Sequence, residues 1–234
     1  MKKLITISLV LFIAAAMQAQ NVQLHYDFGK DRKYLTSTVE MFKPDKWGST
    51  FFFIDMNYDG GNGQTMSLAY WEIARAFTIA KGPFAAHIEY DGGLGQYSIG
   101  GGNYGGYSIN SSYLLGLEYN IHSADFSKIA SFSAMYKYIQ DNLNLAYQLT
   151  AVWDLTFCKK KINLRGFADF WRQDNTFPDG EGTVDTKYIF LTEPQFWYNL
   201  NEHLALGGEV EIASNFAGVQ GFKVCPTLGA KWQF

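Results

Sequence analysis

Three stretches of the sequence alternate aromatic rings with hydrogen-bonding side chains at every second position. They are Phe51, Phe53, Asp55 and Asn57; Arg165, Phe167, Asp169 and Trp171; and Glu193, Gln195, Trp197 and Asn199. An aromatic ring stacked on the flat face of a base contributes about 1–3 kcal/mol, and carboxylates and amides bond to hydroxyl groups or base edges. Nucleosides would suit this combination, and so would sugars. The alternative is that the same residues only fill a protein interior as a polar network.

A spacing of two residues places side chains on one face of a β-strand. On the strand with Phe51 and Phe53, the other face carries the apolar series Phe52, Ile54, Met56 and Tyr58. The preceding turn, 43–48, contains Pro44, Asp45 and Gly48, which are residues that favour tight turns. The segment 33–59 is therefore predicted to be a hairpin with one apolar face and one mixed face.

Similar alternation along the chain predicts twelve strands. We place them near residues 22–28, 33–43, 49–58, 66–79, 84–92, 109–121, 128–140, 143–157, 161–173, 186–200, 203–214 and 221–234. The clearest strand, 143–157, is longer than the roughly 5–6 residues common in soluble sheets and suits a tilted membrane span of about 9–11 residues. Short turns follow the even-numbered strands, and longer loops, notably 93–108 and 174–185, follow the odd ones. This asymmetry is typical of an outer-membrane barrel with both termini in the periplasm.

Three features favour lipid, rather than a soluble core, outside this barrel. Aromatic residues gather near strand ends, at Tyr26, Trp47, Tyr58, Tyr119, Tyr198 and Trp232. The predicted inner face carries too many mid-strand charges for a dry core, namely Glu40, Asp55, Glu72, Glu118, Asp154, Arg165, Asp169, Glu193 and Glu209. The last strand ends on Phe234, which looks like the assembly signal of bacterial outer-membrane proteins. A soluble periplasmic β-sandwich or lipocalin-like barrel is the alternative fold.

The N-terminus has the features of a secretory signal. Lys2 and Lys3 precede an apolar run, 4–16, and small residues up to Ala19. We therefore assign 1–19 to a signal peptide and 20–234 to one barrel domain in the bacterial outer membrane. Asp and Glu outnumber Lys and Arg by 22 to 19, which argues against a nucleic-acid partner. The expected partners are outer-membrane lipid and a small solute, and the sequence does not determine the oligomeric state.

The segment 33–92 resembles the Tsx-like family of nucleoside-specific channel-forming outer-membrane proteins. The resemblance rests on Tyr34-Leu35, Glu40, Phe42, Trp47, Phe51, Phe53, Asp55, Glu72-Ile73, Phe77-Thr78-Ile79 and Gly82-Pro83-Phe84. It implies a twelve-stranded barrel that passes nucleosides by diffusion, with Phe51, Phe53 and Asp55 in the lining. At Ser49 and Thr50 the family has an acidic residue and an aromatic one, and beyond residue 92 the resemblance fades to the strand pattern.

These observations predict an all-β, twelve-stranded antiparallel transmembrane barrel that acts as a passive channel for small solutes such as nucleosides. A barrel of this size has a backbone diameter of roughly 24 Å and a channel on the order of 10 Å. The predicted pore-lining residues are Phe51, Phe53, Asp55, Asn57, Glu40, Glu72, Arg165, Asp169 and Trp171. The alternative function is a closed structural or adhesive barrel that acts through its extracellular loops.

Catalytic and metal-binding patterns are weak in this sequence. His87 next to Glu89 could serve as a general base in an outer-membrane enzyme, but the expected role is in a lumen network. We expect no catalytic residues, no cofactor and no Cys or His metal cluster. The string Gly100-x-Gly102-x-x-Gly105 is predicted to be a flexible loop, since no helix follows it. Whether the acidic segment 179–185 binds Ca²⁺ is left open.

Overall fold

The computed structural model describes residues 20–59, 65–180 and 182–234, so the signal peptide predicted for 1–19 lies outside the described residues. The regular structure within these ranges is β1 (Gln20–Asp27), β2 (Leu35–Asp45), β3 (Gly48–Tyr58), β4 (Leu68–Thr78), β5 (Phe84–Gly100), β6 (Asn103–His122), β7 (Lys128–Ile139), β8 (Asn142–Phe157), β9 (Ile162–Asp179), β10 (Gly182–Thr192), β11 (Gln195–Asn199), β12 (Leu204–Ser214) and β13 (Phe222–Gln233). In this part of the chain, no helix is long and apolar enough to cross a membrane.

The strands form one closed antiparallel sheet. Consecutive strands pair along the chain, and β1 pairs with both β2 and β13, which closes the barrel. Both β10 and β11 pair with β9 on one side and with β12 on the other, so they are two halves of one barrel strand. The barrel therefore has twelve strands, and the predicted fold class is confirmed.

The continuous strand predicted for 186–200 is corrected to these two halves. The interruption falls at Glu193 and Pro194. Proline has no backbone N–H to donate to the ladder, which explains why regular pairing breaks there.

The two longest predicted loops are mostly strands, which corrects the prediction for 93–108 and 174–185. β5 and β6 continue to a turn at Gly101 and Gly102, where φ is 61° and 78°. This left-handed conformation favours glycine. In the second hairpin, the Thr176 hydroxyl donates to Asp185 Oδ1 at 2.7 Å, while the side chains of Asp179 and Glu181 lie outside those described.

The outer face of the barrel is apolar around its circumference. Large exposed side chains on it include Leu24, Ile73, Leu115, Leu117, Phe132, Leu149, Leu206 and Leu228. Aromatic side chains mark both ends of this belt: Trp47 and Trp232 lie at the end with the short turns, and Tyr113 and Tyr138 lie near the other. A soluble protein would bury such a surface, whereas an apolar band between aromatic girdles is what lipid requires.

We expect Leu115→Lys to destabilise the barrel by about 2–4 kcal/mol, because it places a charge on the lipid-facing surface. Leu115 is 60% exposed on β6 and lies between Tyr113 and Tyr119 on the same face. The measurement is the unfolding free energy of the protein in lipid vesicles, from urea titrations. Ser131→Lys on β7, which faces the lumen cavity, is the control and should change stability much less. Equal losses in the two variants would contradict this assignment of faces.

Candidate functional site in the barrel lumen

The barrel encloses a cavity of about 410 Å³. Its wall contains inward-facing side chains from most strands, as the two-residue period of a barrel requires. Seven of the predicted pore-lining residues belong to this wall: Glu40, Phe51, Phe53, Asp55, Glu72, Arg165 and Asp169. The structure thus brings together residues from β2, β3, β4 and β9.

Asn57 and Trp171 differ from the prediction in position. Both belong to the inward-facing rows, but neither is part of the cavity wall. Asn57 lies near the outer end of β3, where its amide donates to the Tyr34 hydroxyl at 3.5 Å. Trp171 is buried in an apolar cluster on the outer side of the cavity. Alternation gives the face of a side chain but not its height in the barrel.

Two neighbouring aromatic rings of β3 belong to the cavity wall, and a third ring packs beside them. The ring centroids of Phe51 and Phe53 are 5.9 Å apart, and Phe53 is 6.0 Å from Tyr70 on the neighbouring strand. Phe53 lies opposite Glu40 on β2 and Glu72 on β4 in the sheet register. A flat aromatic surface is therefore flanked on both sides by hydrogen-bond acceptors.

Asp55 follows Phe53 on the same face, toward the outer end of β3. It accepts a hydrogen bond from the Thr38 hydroxyl at 2.5 Å, which fixes one carboxylate oxygen. Thr38 is its direct partner on β2 and also lines the cavity. The threonine was not singled out in the sequence, where nothing distinguishes it from other inward Thr residues.

Arg165 forms an ion pair across the lumen. Its guanidinium lies 2.7 Å from Glu40 Oε1 and 4.0 Å from Asp154 Oδ2. Asp154 is on the adjacent strand β8, but Glu40 is on β2, which lies almost opposite β9 in the closed sheet. This bridge narrows the cavity between two of the predicted lining residues.

Packed side chains fill part of the lumen beside β1, β11 and β13. Trp197 is 0% exposed, with its ring 5.5 Å from His25 and 4.6 Å from Lys231 Nζ. It packs against Gly207, where a Cβ would lie 1.9 Å from the Phe196 carbonyl oxygen, so no side chain fits there.

An apolar cluster narrows the outer end of the lumen. It consists of Ile139, Ala146, Trp171 and Ile189, with Leu191 and Phe216 packed against it. The Trp171 and Phe216 rings are 5.8 Å apart, edge to face, so the loop 215–221 folds inward. Phe216 could not be predicted from the sequence, because a single aromatic residue in a loop carries no periodic signal.

The loop between β1 and β2 also folds over the lumen. Arg32 binds Glu211 through both terminal nitrogens, at 3.1 and 2.7 Å, and Asp27 at 3.0 Å. Paired guanidinium and carboxylate groups in this geometry are stronger than single bonds. Arg32 was also not found in the sequence, since its partner is far away along the chain.

His87 belongs to a hydrogen-bonded network in the lumen, as expected. Its Nδ1 lies 2.8 Å from Glu118 Oε2, and its Nε2 lies 3.0 Å from Glu89 Oε2. Both ring nitrogens are thus held by carboxylates. This arrangement orients the two acids that flank the histidine.

The cavity wall is strongly acidic. The carboxylates in it are Glu40, Asp55, Glu72, Glu89, Glu118, Asp154, Asp169, Glu193 and Glu209. The basic side chains in the same wall are Arg165 and His87. Negative charge therefore dominates the space that a solute would cross.

A closed twelve-stranded barrel with an apolar belt, aromatic ends and a charged lumen has the architecture of an outer-membrane β-barrel. Residues 19–234 match the family described as a domain of unknown function, DUF5020, and the chain belongs to that family. No curated protein matches the chain in sequence.

Solved porins share the fold. The NanC porin aligns with a TM-score of 0.56 at 9% identity, over 92% of this chain and 100% of the other. The KdgM porin in complex with disordered oligogalacturonate aligns with a TM-score of 0.50 at 11% identity, over 92% and 99%. The barrel that the Tsx-like resemblance implied is thus confirmed as a fold, with porins as its structural neighbours.

Proposed function

We propose that this protein is a passive outer-membrane channel for small solutes, and that nucleosides are the class it passes. The observation that carries this proposal is the cavity of about 410 Å³, which the Phe51 and Phe53 rings line on one side. A volume of this order lies in the range of small-molecule sites, about 300–1,000 Å³. The rings offer stacking surfaces, and the adjacent carboxylates accept hydrogen bonds from ribose hydroxyls.

The acidic cavity wall argues against oligogalacturonate, the ligand of the KdgM porin, as a solute of this protein. That protein was solved with oligogalacturonate, whose name denotes an acid anion. Here Arg165 lies among nine carboxylates and is already paired with Glu40. An anionic oligosaccharide would be repelled in this lumen, whereas neutral nucleosides would not.

The proposal is tested by solute uptake into liposomes that contain the refolded protein. We expect adenosine and thymidine to enter faster than glucose, and Phe53→Ala to raise the half-saturating adenosine concentration about ten-fold, since a lost stack weakens binding by about 1–3 kcal/mol. Phe52→Ala is the matched control, because Phe52 is on the opposite face of the same strand. If glucose enters as fast as adenosine and Phe53→Ala has no effect, nucleosides are the wrong solute class.

A second candidate function is a closed barrel that acts through its outer loops. It is favoured by the Trp171 and Phe216 contact and by the Arg32 bridge, which bring two loops over the lumen. A correctly folded barrel through which no solute passes would support this candidate and contradict the channel.

A further inference from the structure

Three lumen carboxylates are close enough to share one cation. Glu72 on β4 and Glu89 and Asp91 on β5 each offer an oxygen, and these oxygens lie within 4.8 Å of one another. Glu72 and Asp91 are direct partners in the sheet, and Glu89 is two residues away on the same face. Like charges at this separation repel each other unless a positive group neutralises them.

One oxygen in this cluster is buried without a partner. Asp91 is 4% exposed, and its Oδ1 has no hydrogen-bond partner within the described part of the chain. The other oxygen, Oδ2, accepts a bond from Lys137 Nζ at 3.3 Å. A buried acceptor left unsatisfied is unfavourable, so Asp91 Oδ1 keeps an acceptor position with which it can bind a ligand.

Donors from outside the cluster orient each of the three carboxylates. The Tyr70 hydroxyl donates to Glu72 Oε1 at 2.7 Å, and His87 Nε2 lies 3.0 Å from Glu89 Oε2. Lys137 Nζ donates to Asp91 Oδ2, and it also donates to Gln148 Oε1 at 2.7 Å. Groups of this kind orient the ligands in metal sites, and here they leave one oxygen of each carboxylate outside these bonds.

We propose that Glu72, Glu89 and Asp91 bind a divalent cation of the Ca²⁺ class inside the barrel. The donors are all oxygens, which hard cations prefer, and Ca²⁺ binds oxygens at about 2.3–2.6 Å. Two ligands on opposite sides of one such ion are about 4.6–5.2 Å apart, so the observed spacing accommodates a shared ion. The site goes beyond transport, because it can be occupied whether or not solute passes.

The test is terbium luminescence of the refolded protein, with Tb³⁺ as a Ca²⁺ substitute and Tyr70 as the nearby sensitiser. We expect saturable emission from one bound ion, displaced by excess Ca²⁺. Glu72→Gln should weaken Tb³⁺ binding by about ten-fold or more, the order seen when metal-site groups are altered. Glu209→Gln is the matched control: Glu209 also lines the cavity but lies on β12, outside the cluster.

Two results would overturn the site. One is the absence of saturable emission; the other is an equal loss of affinity in Glu209→Gln, which would mean that diffuse lumen charge attracts the ion. Glu89→Gln provides the same comparison if Glu72→Gln does not fold. As a second readout, Ca²⁺ should raise the thermal unfolding midpoint of the wild type but not that of Glu72→Gln, since a ligand stabilises only the state it binds. Neither readout requires conductance, so the cation site can be disproved without contradicting the proposed channel.

Discussion

In a KCl gradient across a planar bilayer, this protein is expected to pass K⁺ several-fold better than Cl⁻. The cavity wall has nine carboxylates, and its arginine is paired with Glu40. A narrow lumen lined by one sign of charge concentrates the opposite ion and excludes the like-charged one. The effect should be largest at low ionic strength, where about 10 Å of screening length at 0.1 M grows to about 30 Å at 0.01 M.

The reversal potential measures this selectivity and identifies the residues responsible. The double variant Glu193→Gln/Glu209→Gln should shift the reversal potential toward zero, because both carboxylates line the cavity. Arg165→Gln should shift it the other way, since it frees Glu40 and Asp154 from their positive partner. Asp125→Asn is the control, because Asp125 lies in the exposed turn between β6 and β7. Anion preference in the wild type would contradict the acidic lumen as the origin of selectivity.

The second large effect is expected at the outer end of the barrel. Trp171→Ala together with Phe216→Ala should raise single-channel conductance about two-fold or more, because the two rings narrow the lumen and hydrophobic constrictions limit ion flow. The same change should also lower the unfolding free energy by about 3–5 kcal/mol, because Trp171 is a large buried side chain. Its ring also contacts Lys137, whose Nζ lies 4.9 Å from the ring centroid. Conductance is measured on single refolded barrels in the same salt on both sides.

Phe222→Ala is the matched control for this change. Phe222 lies at the outer end of β13 and is exposed on the outside of the barrel, so its loss should leave conductance unchanged. If the double variant conducts like the wild type, the flow is limited elsewhere, for which the Arg165 bridge to Glu40 is the next candidate. If neither protein conducts while both are folded, the lumen is closed and the outer loops become the functional surface.

Together these experiments separate three properties of the lumen. Uptake with Phe53→Ala tests which solute is bound, the reversal potential tests charge, and terbium emission tests a local cation site. The cation site and the selectivity share acidic residues but differ in one respect: selectivity depends on the sum of charges, whereas the site depends on Glu72, Glu89 and Asp91 being within 4.8 Å. Glu209→Gln is therefore expected to change the ion selectivity but not the binding of Tb³⁺.

The alternation of residues along the chain was enough to predict the number of barrel strands and the face of many side chains. Phe51, Phe53 and Asp55 were placed inward, and they line the cavity. This succeeds because the two-residue period is local: the backbone of each strand directs alternate side chains to opposite faces, whatever the strand pairs with. Where glycine interrupts that period, as in 93–108, the sequence predicted loops although the strands continue.

Which inward residues meet depends on the closed sheet and could not be predicted from the alternation. The pairing of Arg165 with Glu40 joins strands almost opposite each other, and the contact of Trp171 with Phe216 joins a strand to a distant loop. The placement of Glu72 beside Asp91 requires the register of β4 on β5. Register and closure depend on the whole sheet, since one shift of pairing changes the height or face of every later side chain. No local pattern in the sequence contains that information.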